Sequence, residues 1–166
     1  MNIELLSSKF KVKYIEEQEI QEVYELCKGN PMYYKYCPPN VIVQGIKDDM
    51  VALPNGKKPE DKYYIGFYHD DNLVAVMDLI SKYPNEETAF IGFFMMSKDH
   101  QGKGEGTSII TEVCRYLKEV GFSKVRLAYV KGNYQSEMFW TKNHFRRTGI
   151  ETETDSYVIV VMEKQL

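Results

Sequence analysis

Cysteine is scarce in this chain of 166 residues, and the little there is forms no pattern. Cys27, Cys37 and Cys114 are odd in number and fit no zinc spacing, so a disulfide framework and a metal site are both unexpected. Reduced thiols in a cytoplasmic protein are the expectation. Long apolar runs are missing as well. The longest, Tyr157-Val158-Ile159-Val160-Val161-Met162, has only strand length, far short of the roughly 20 residues that cross a bilayer. Met1 to Phe10 contains no apolar stretch of the kind a secretory leader needs. Neither sign of charge is in excess: 21 Lys and Arg against 24 Asp and Glu leave a net charge of −3. A nucleic-acid binder needs a basic face, so neither nucleic acid nor membrane is expected as a partner. No repeat, low-complexity stretch or Gly/Ser linker divides the chain, which predicts one domain over 1–166.

What is present is ordinary globular material, 43% hydrophobic and 27% charged. Phe10 to Tyr14 alternates as a strand does. Glu16 to Cys27 reads as a helix with Ile20, Val23, Leu26 and Cys27 on one face, stopped by Gly29 and Pro31. The aromatic segment Met32 to Cys37 is irregular in pattern, and a short helix follows at Val43 to Val51. Three strands come next, Lys62 to Tyr68, Leu73 to Lys82 and Thr88 to Met96. The turns between them are so short that the strands must be antiparallel neighbours. Thr107 to Val120 is the strongest helix, with Ile109, Ile110, Val113, Leu117 and Val120 in one stripe and Gly121 as its stop. A strand at Lys124 to Val130, a helix at Tyr134 to Lys142 and a last strand at Tyr157 to Glu163 complete the reading. The fold class is α+β, with a mixed, mostly antiparallel central sheet flanked by helices.

Between the third strand and the strong helix lies Gln101-Gly102-Lys103-Gly104-Glu105-Gly106-Thr107. A helix start carries unpaired N–H groups and a partial positive charge, and glycines let an anion approach its backbone closely. Lys103 adds a cation. Such a loop suits a pyrophosphate. It is not a Walker A loop, because no Gly-Lys-Ser/Thr occurs. It is a poor dinucleotide fingerprint, because the spacing is G-x-G-x-G and the preceding strand belongs to an antiparallel meander.

The loop does match the pattern Q/R-x-x-G-x-G/A at every fixed position, and in this it resembles the GNAT superfamily of acyl-CoA N-acyltransferases. The resemblance runs from about Lys62 to Val161. It includes the strand Phe90 to Met96, the strand Val125 to Val130 and the segment Asn133-Tyr134-Gln135-Ser136-Glu137-Met138-Phe139-Trp140, which is similar to the family's N-x-x-A-x-x-F-Y motif. The resemblance implies a GNAT-like fold, acetyl-CoA as co-substrate and acetyl transfer by direct attack of a primary amine on a small molecule or peptide. It implies that the N–H groups of Gln101, Gly102, Lys103, Gly104, Glu105, Gly106 and Thr107 hold the pyrophosphate. The pantetheine arm would pair with the strand end at Phe94 and Met96, and the Met96 N–H would polarise the thioester carbonyl. Asn133, Ser136 and Trp140 would also border the cofactor. A homodimer is compatible with the family.

One position departs from the pattern. The family often has a tyrosine that protonates the leaving thiolate, and Trp140 stands in its place. The acid is then dispensable, or the protein is a non-catalytic acyl-CoA-binding sensor of the same fold. For the base, Asp78 is the first candidate, since a carboxylate inside the apolar strand Val74 to Ile80 is costly unless paired or functional. Tyr83, Glu86 and Glu87 lie just beyond it. His100 precedes the glycine loop, and Tyr33, Tyr34 and Tyr36 offer aromatic faces on the acceptor side.

Overall fold

In the computed structural model, which covers residues 1–166, seven strands form one sheet in the order β1-β2-β3-β4-β5-β7-β6. The strands are β1 (Lys11–Tyr14), β2 (Lys62–His69), β3 (Asn72–Ile80), β4 (Thr88–Met96), β5 (Lys124–Val130), β6 (Arg146–Glu153) and β7 (Val158–Gln165). The helices are α1 (Ile20–Lys28), α2 (Pro31–Tyr36), α3 (Val43–Val51), α4 (Glu105–Glu119) and α5 (Tyr134–Lys142). Every strand pair is antiparallel except β4 with β5, which are parallel and joined through α4. The expected mixed, mostly antiparallel sheet is what forms.

The two faces of the sheet carry separate cores. Side chains alternate along a strand, so Ala75, Met77 and Leu79 of β3 join a core with Ile109, Ile110, Val113 and Leu117 of α4, Leu127 of β5 and Trp140 of α5. Val76 of β3 and Met95 of β4 join the opposite core with Ile20, Val23 and Leu26 of α1 and Ile46 of α3. The apolar stripe read in α4 is buried from Ile109 to Leu117, whereas Val120, the residue that caps the helix, is exposed.

Some elements differ from the sequence reading. The helix at Glu16 begins instead as a 3-10 turn over Glu17–Glu19. Pro31 does not only end α1. It occupies the first turn of α2, where its missing N–H costs nothing. Strand β6 was not expected at all. Each of its residues is exposed, Gly149 interrupts it at φ +87°, and its pairing with β7 shifts register between Arg147 and Glu151. An edge strand with no buried face leaves no alternation to read.

The site is built at β4. Its ladder with β5 holds only from Thr88 opposite Lys124 to Ile91 opposite Leu127. Beyond that, β4 stays with β3 as far as Met96, and β5 stays with β7 as far as Val130. The parallel pair therefore splays at its C-terminal end. A bulge sits where the parting begins. Asp78 faces Phe93 and Leu79 faces Ile91, so Gly92 is an extra residue in β4. Bulges bend and twist their strand. Glycine is required there, because a Cβ at 92 would lie 2.7 Å from Asp78 Oδ2.

Asp78 is therefore interior, on a strand flanked by β2 and β4, and not at a wet edge. The Lys62 Nζ, on a side chain only 5% exposed, donates to its Oδ2 at 2.8 Å. Asp78 Oδ1 is buried without a partner. Burial outweighs Lys62 and holds the carboxyl above its usual range. Removing one member of a buried ion pair strands the other charge. Asp78→Ala is expected to cost about 3–5 kcal/mol of stability, and adding Lys62→Met is expected to recover most of it. Urea unfolding of the two variants checks this; equal losses in both would show that the pair is not the cause.

Candidate active site

The splay opens a cleft of about 580 Å³. Its lining includes Phe94, Phe139 and Trp140, whose core lies on the α4 and α5 face, together with Tyr33 and Phe93 from the α1 to α3 face. A cleft lined from both faces passes through the sheet, and only parted strands allow that. Asn133, Ser136, Tyr129 and Val130 border it on the β5 side.

The amides along β4 face the gap in a fixed order. The Ser97 N–H donates to the Val74 carbonyl at 2.8 Å, so residue 97 faces β3. Backbone polar groups alternate sides along a strand. Met96 and Phe94 therefore present theirs to the parted edge, beside β5. The Met96 carbonyl accepts from Asn30 Nδ2 at 3.1 Å and from Gln101 Nε2 at 3.0 Å. Gln101 Nε2 also donates to Asn30 Oδ1 at 2.6 Å. These bonds join the end of α1, the end of β4 and the start of the glycine loop. Gln101 thus lines the cleft while its side chain acts inside the protein.

The loop leads into α4 with Gly104 as the N-cap at φ +81°, in the left-handed region. Gly106 is buried where a Cβ would lie 3.2 Å from Phe139 Cε2 and 3.4 Å from Met96 Cγ. The helix start can thus lie against β4 and α5 at the edge of the cleft. Gly102, Gly104, Gly106 and Thr107 all line it; Lys103 and Glu105 do not. Glu105 is held away by Lys9 Nζ at 2.7 Å and His100 Nδ1 at 2.5 Å, which keep its carboxyl low, at about 2. The loop's one carboxylate is thereby paired at the start of α4.

Asn133 caps α5, its Oδ1 accepting from the Ser136 N–H at 3.1 Å, which leaves its NH₂ for a ligand. Trp140 is buried against Phe94, Phe139 and Phe145 and serves as core as well as wall. Tyr83 lies outside the cleft. Its N–H bonds the Thr88 carbonyl at 2.9 Å and its ring meets Phe90, at the closed end of the β4–β5 pair. Asp78 is not part of the lining either; Gly92 stands between.

The opposite mouth holds Tyr33, named from the sequence for the acceptor side, together with Cys37 and Tyr157, which sequence reading did not place in a site. Cys37, at the end of α2, donates its thiol to Tyr157 Oη at 3.6 Å, and both line the cleft. Tyr33 stands edge-on to Phe93 at 5.6 Å. These side chains bridge β4 to the start of β7 across the gap. Nothing in the spacing of Cys37 and Tyr157, 120 positions apart, signals that they meet.

A helix start rich in glycine that opens on a splayed parallel pair is the arrangement implied by the resemblance to acyltransferases. The family model of the acetyltransferase (GNAT) family matches residues 20–145, and the chain belongs to that family. Solved structures agree in fold. An acetyltransferase from Thermus thermophilus superposes with a TM-score of 0.76 at 14% identity, over 95% of this chain and 97% of that one. A PaiA N-acetyltransferase from Thermoplasma acidophilum, in complex with coenzyme A, gives 0.66 at 16% identity over 95% and 99%. A spermidine N-acetyltransferase from Vibrio cholerae, in complex with CoA and spermine, gives 0.67 at 15% identity over 96% of both chains. No curated protein matches the chain. No helix is long and apolar enough to cross a membrane.

A side chain at 104 would be forced into the left-handed region. Gly104→Val is expected to strain the helix start by about 1–2 kcal/mol and so to weaken CoA binding about tenfold. Isothermal titration with CoA measures it. Unchanged affinity in a folded variant would mean that the loop does not hold the ligand.

Proposed function

We propose that this protein moves the acetyl group of acetyl-CoA to a primary amine of a small molecule or peptide by direct attack. One observation carries the reading: a single cleft joins a glycine-rich helix start to an aromatic mouth on the far side of the sheet. In this reading the N–H groups of residues 101–107 hold the pyrophosphate. The pantetheine arm pairs with the free edge at Phe94 and Met96 as an added strand would. The Met96 N–H faces the thioester carbonyl and stabilises charge on its oxygen. Asn133 donates from the opposite wall. Asp78 acts through Gly92, by keeping the strands apart, and Tyr83 has no direct part.

The acceptor enters beside Tyr33, Phe93 and Tyr157. No Asp or Glu lines the cleft. An amine must lose a proton before it attacks, and no carboxylate here removes it or attracts a polycation. That favours an α-amino group, with a pKa of about 8, over an alkyl amine near 10.4, and an apolar body to pack on the aromatic wall. Trp140 supports a second reading, an acyl-CoA sensor without turnover.

Thiol release from acetyl-CoA at pH 7.5 with a panel of amines separates these readings. Turnover is expected with α-amines carrying apolar groups, and little with polyamines. Tight CoA binding with no release from any amine supports the sensor. Fastest release with polyamines would contradict the acceptor argument.

A further inference from the structure

The leaving sulfur needs a proton, and the position where the family often keeps its tyrosine holds Trp140, whose indole N–H is not an acid at neutral pH. Other hydroxyls border the cleft. The Tyr129 side chain belongs to the core on the α4 and α5 face, where its hydroxyl is buried beside the Glu137–Arg147 pair without a hydrogen-bond partner to orient it. Tyr33 packs its ring on Phe93, and burial drives its phenol far up. Tyr157 differs from both. It enters from the β7 side, where Val130 of β5 pairs with Ile159, so it stands at the splayed end of β5. Its hydroxyl is fixed from across the mouth by the Cys37 thiol at 3.6 Å. In the acetyl-transfer reading, a ligand whose pyrophosphate rests on residues 101–107 runs through the same cleft toward the mouth that Tyr157 and Cys37 line.

We propose that Tyr157 is the proton donor to the leaving thiolate, replacing from the last hairpin the acid that Trp140 cannot supply. The inference rests on the acetyl-transfer reading above. As the nitrogen–carbon bond forms, the carbon–sulfur bond breaks and its electron pair goes to sulfur. Tyr157 Oη gives its proton to that sulfur. The phenolate takes back the proton that the amine nitrogen sheds. The net transfer is one proton from nitrogen to sulfur, and no other reactant is needed. The contact with Cys37 holds the Tyr157 hydroxyl in place at the mouth of the cleft. Hydrogen bonding to Cys37 and burial both hold the Tyr157 phenol above its ordinary value, so it carries its proton at neutral pH.

The test uses Tyr157→Phe, which removes one oxygen and keeps the ring. The first readout is binding alone. Calorimetry compares CoA with desulfo-CoA, which lacks the sulfur. The wild type is expected to prefer CoA roughly fivefold, as one hydrogen bond would give, and Tyr157→Phe to bind the two equally. The second readout is turnover. kcat is expected to fall about 100-fold, at the low end for general acids, with KM for acetyl-CoA unchanged. The basic limb of the pH–rate profile is expected to disappear. A variant within twofold of wild-type kcat, or one that still prefers CoA to desulfo-CoA, overturns the acid role while acetyl transfer stands. If wild type and variant both bind CoA yet neither releases thiol with any amine, the acetyl-transfer reading fails and the acid falls with it.

Discussion

The parting of β4 from β5 is the constraint on which the rest of this molecule depends. Parallel neighbours normally satisfy each other along their full length, and unpaired backbone groups inside a protein are costly. Here the ladder stops after Ile91 and Leu127. Three features of the chain explain why it stops there. Gly92 adds a residue to β4, Asp78 fills the space that a side chain at 92 would need, and Lys62 holds Asp78 in place. The strand edge left open at Phe94 and Met96 is a ready template for an extended ligand.

The glycine loop completes that edge and depends on it. Gly106 lets α4 start close to Met96 and Phe139, while Asn30 and Gln101 bind the Met96 carbonyl from the loop side. The end of β4 and the start of α4 are thus one rigid corner. Charge is arranged to suit an anion. Glu105, which would repel a phosphate, is spent on Lys9 and His100. The cleft itself contains no carboxylate, so its far mouth is aromatic and uncharged where an acceptor would arrive.

Much of this was legible in the chain. The strong period of Ile109, Ile110, Val113 and Leu117 marks a helix packed on a sheet, and the short turns around Asp70 and Asn85 force an antiparallel meander. The loop from Gln101 to Thr107 can be read because glycines at alternate positions before a helix have few other uses. Asp78 was legible as an anomaly, though not as what it is. A carboxylate in an apolar strand signals a partner, and the partner, Lys62, lies on the neighbouring strand 16 positions away. Strand β6 was not legible, since polar residues exposed on both sides carry no period. Neither was the meeting of Cys37 with Tyr157, which depends on the closure of the whole sheet. Pro31 misled in a specific way: proline ends one helix and begins another with equal ease.

The central claim is that CoA lies through the parted strands with its phosphates on the glycine loop. Amide hydrogen exchange with and without CoA tests it most directly, because it reads backbone groups one by one. The account predicts slowed exchange at Phe94 and Met96 and through residues 101–107, with little change at β1 and β6. CoA binding that leaves the amides of Phe94 and Met96 exchanging as fast as before would contradict it.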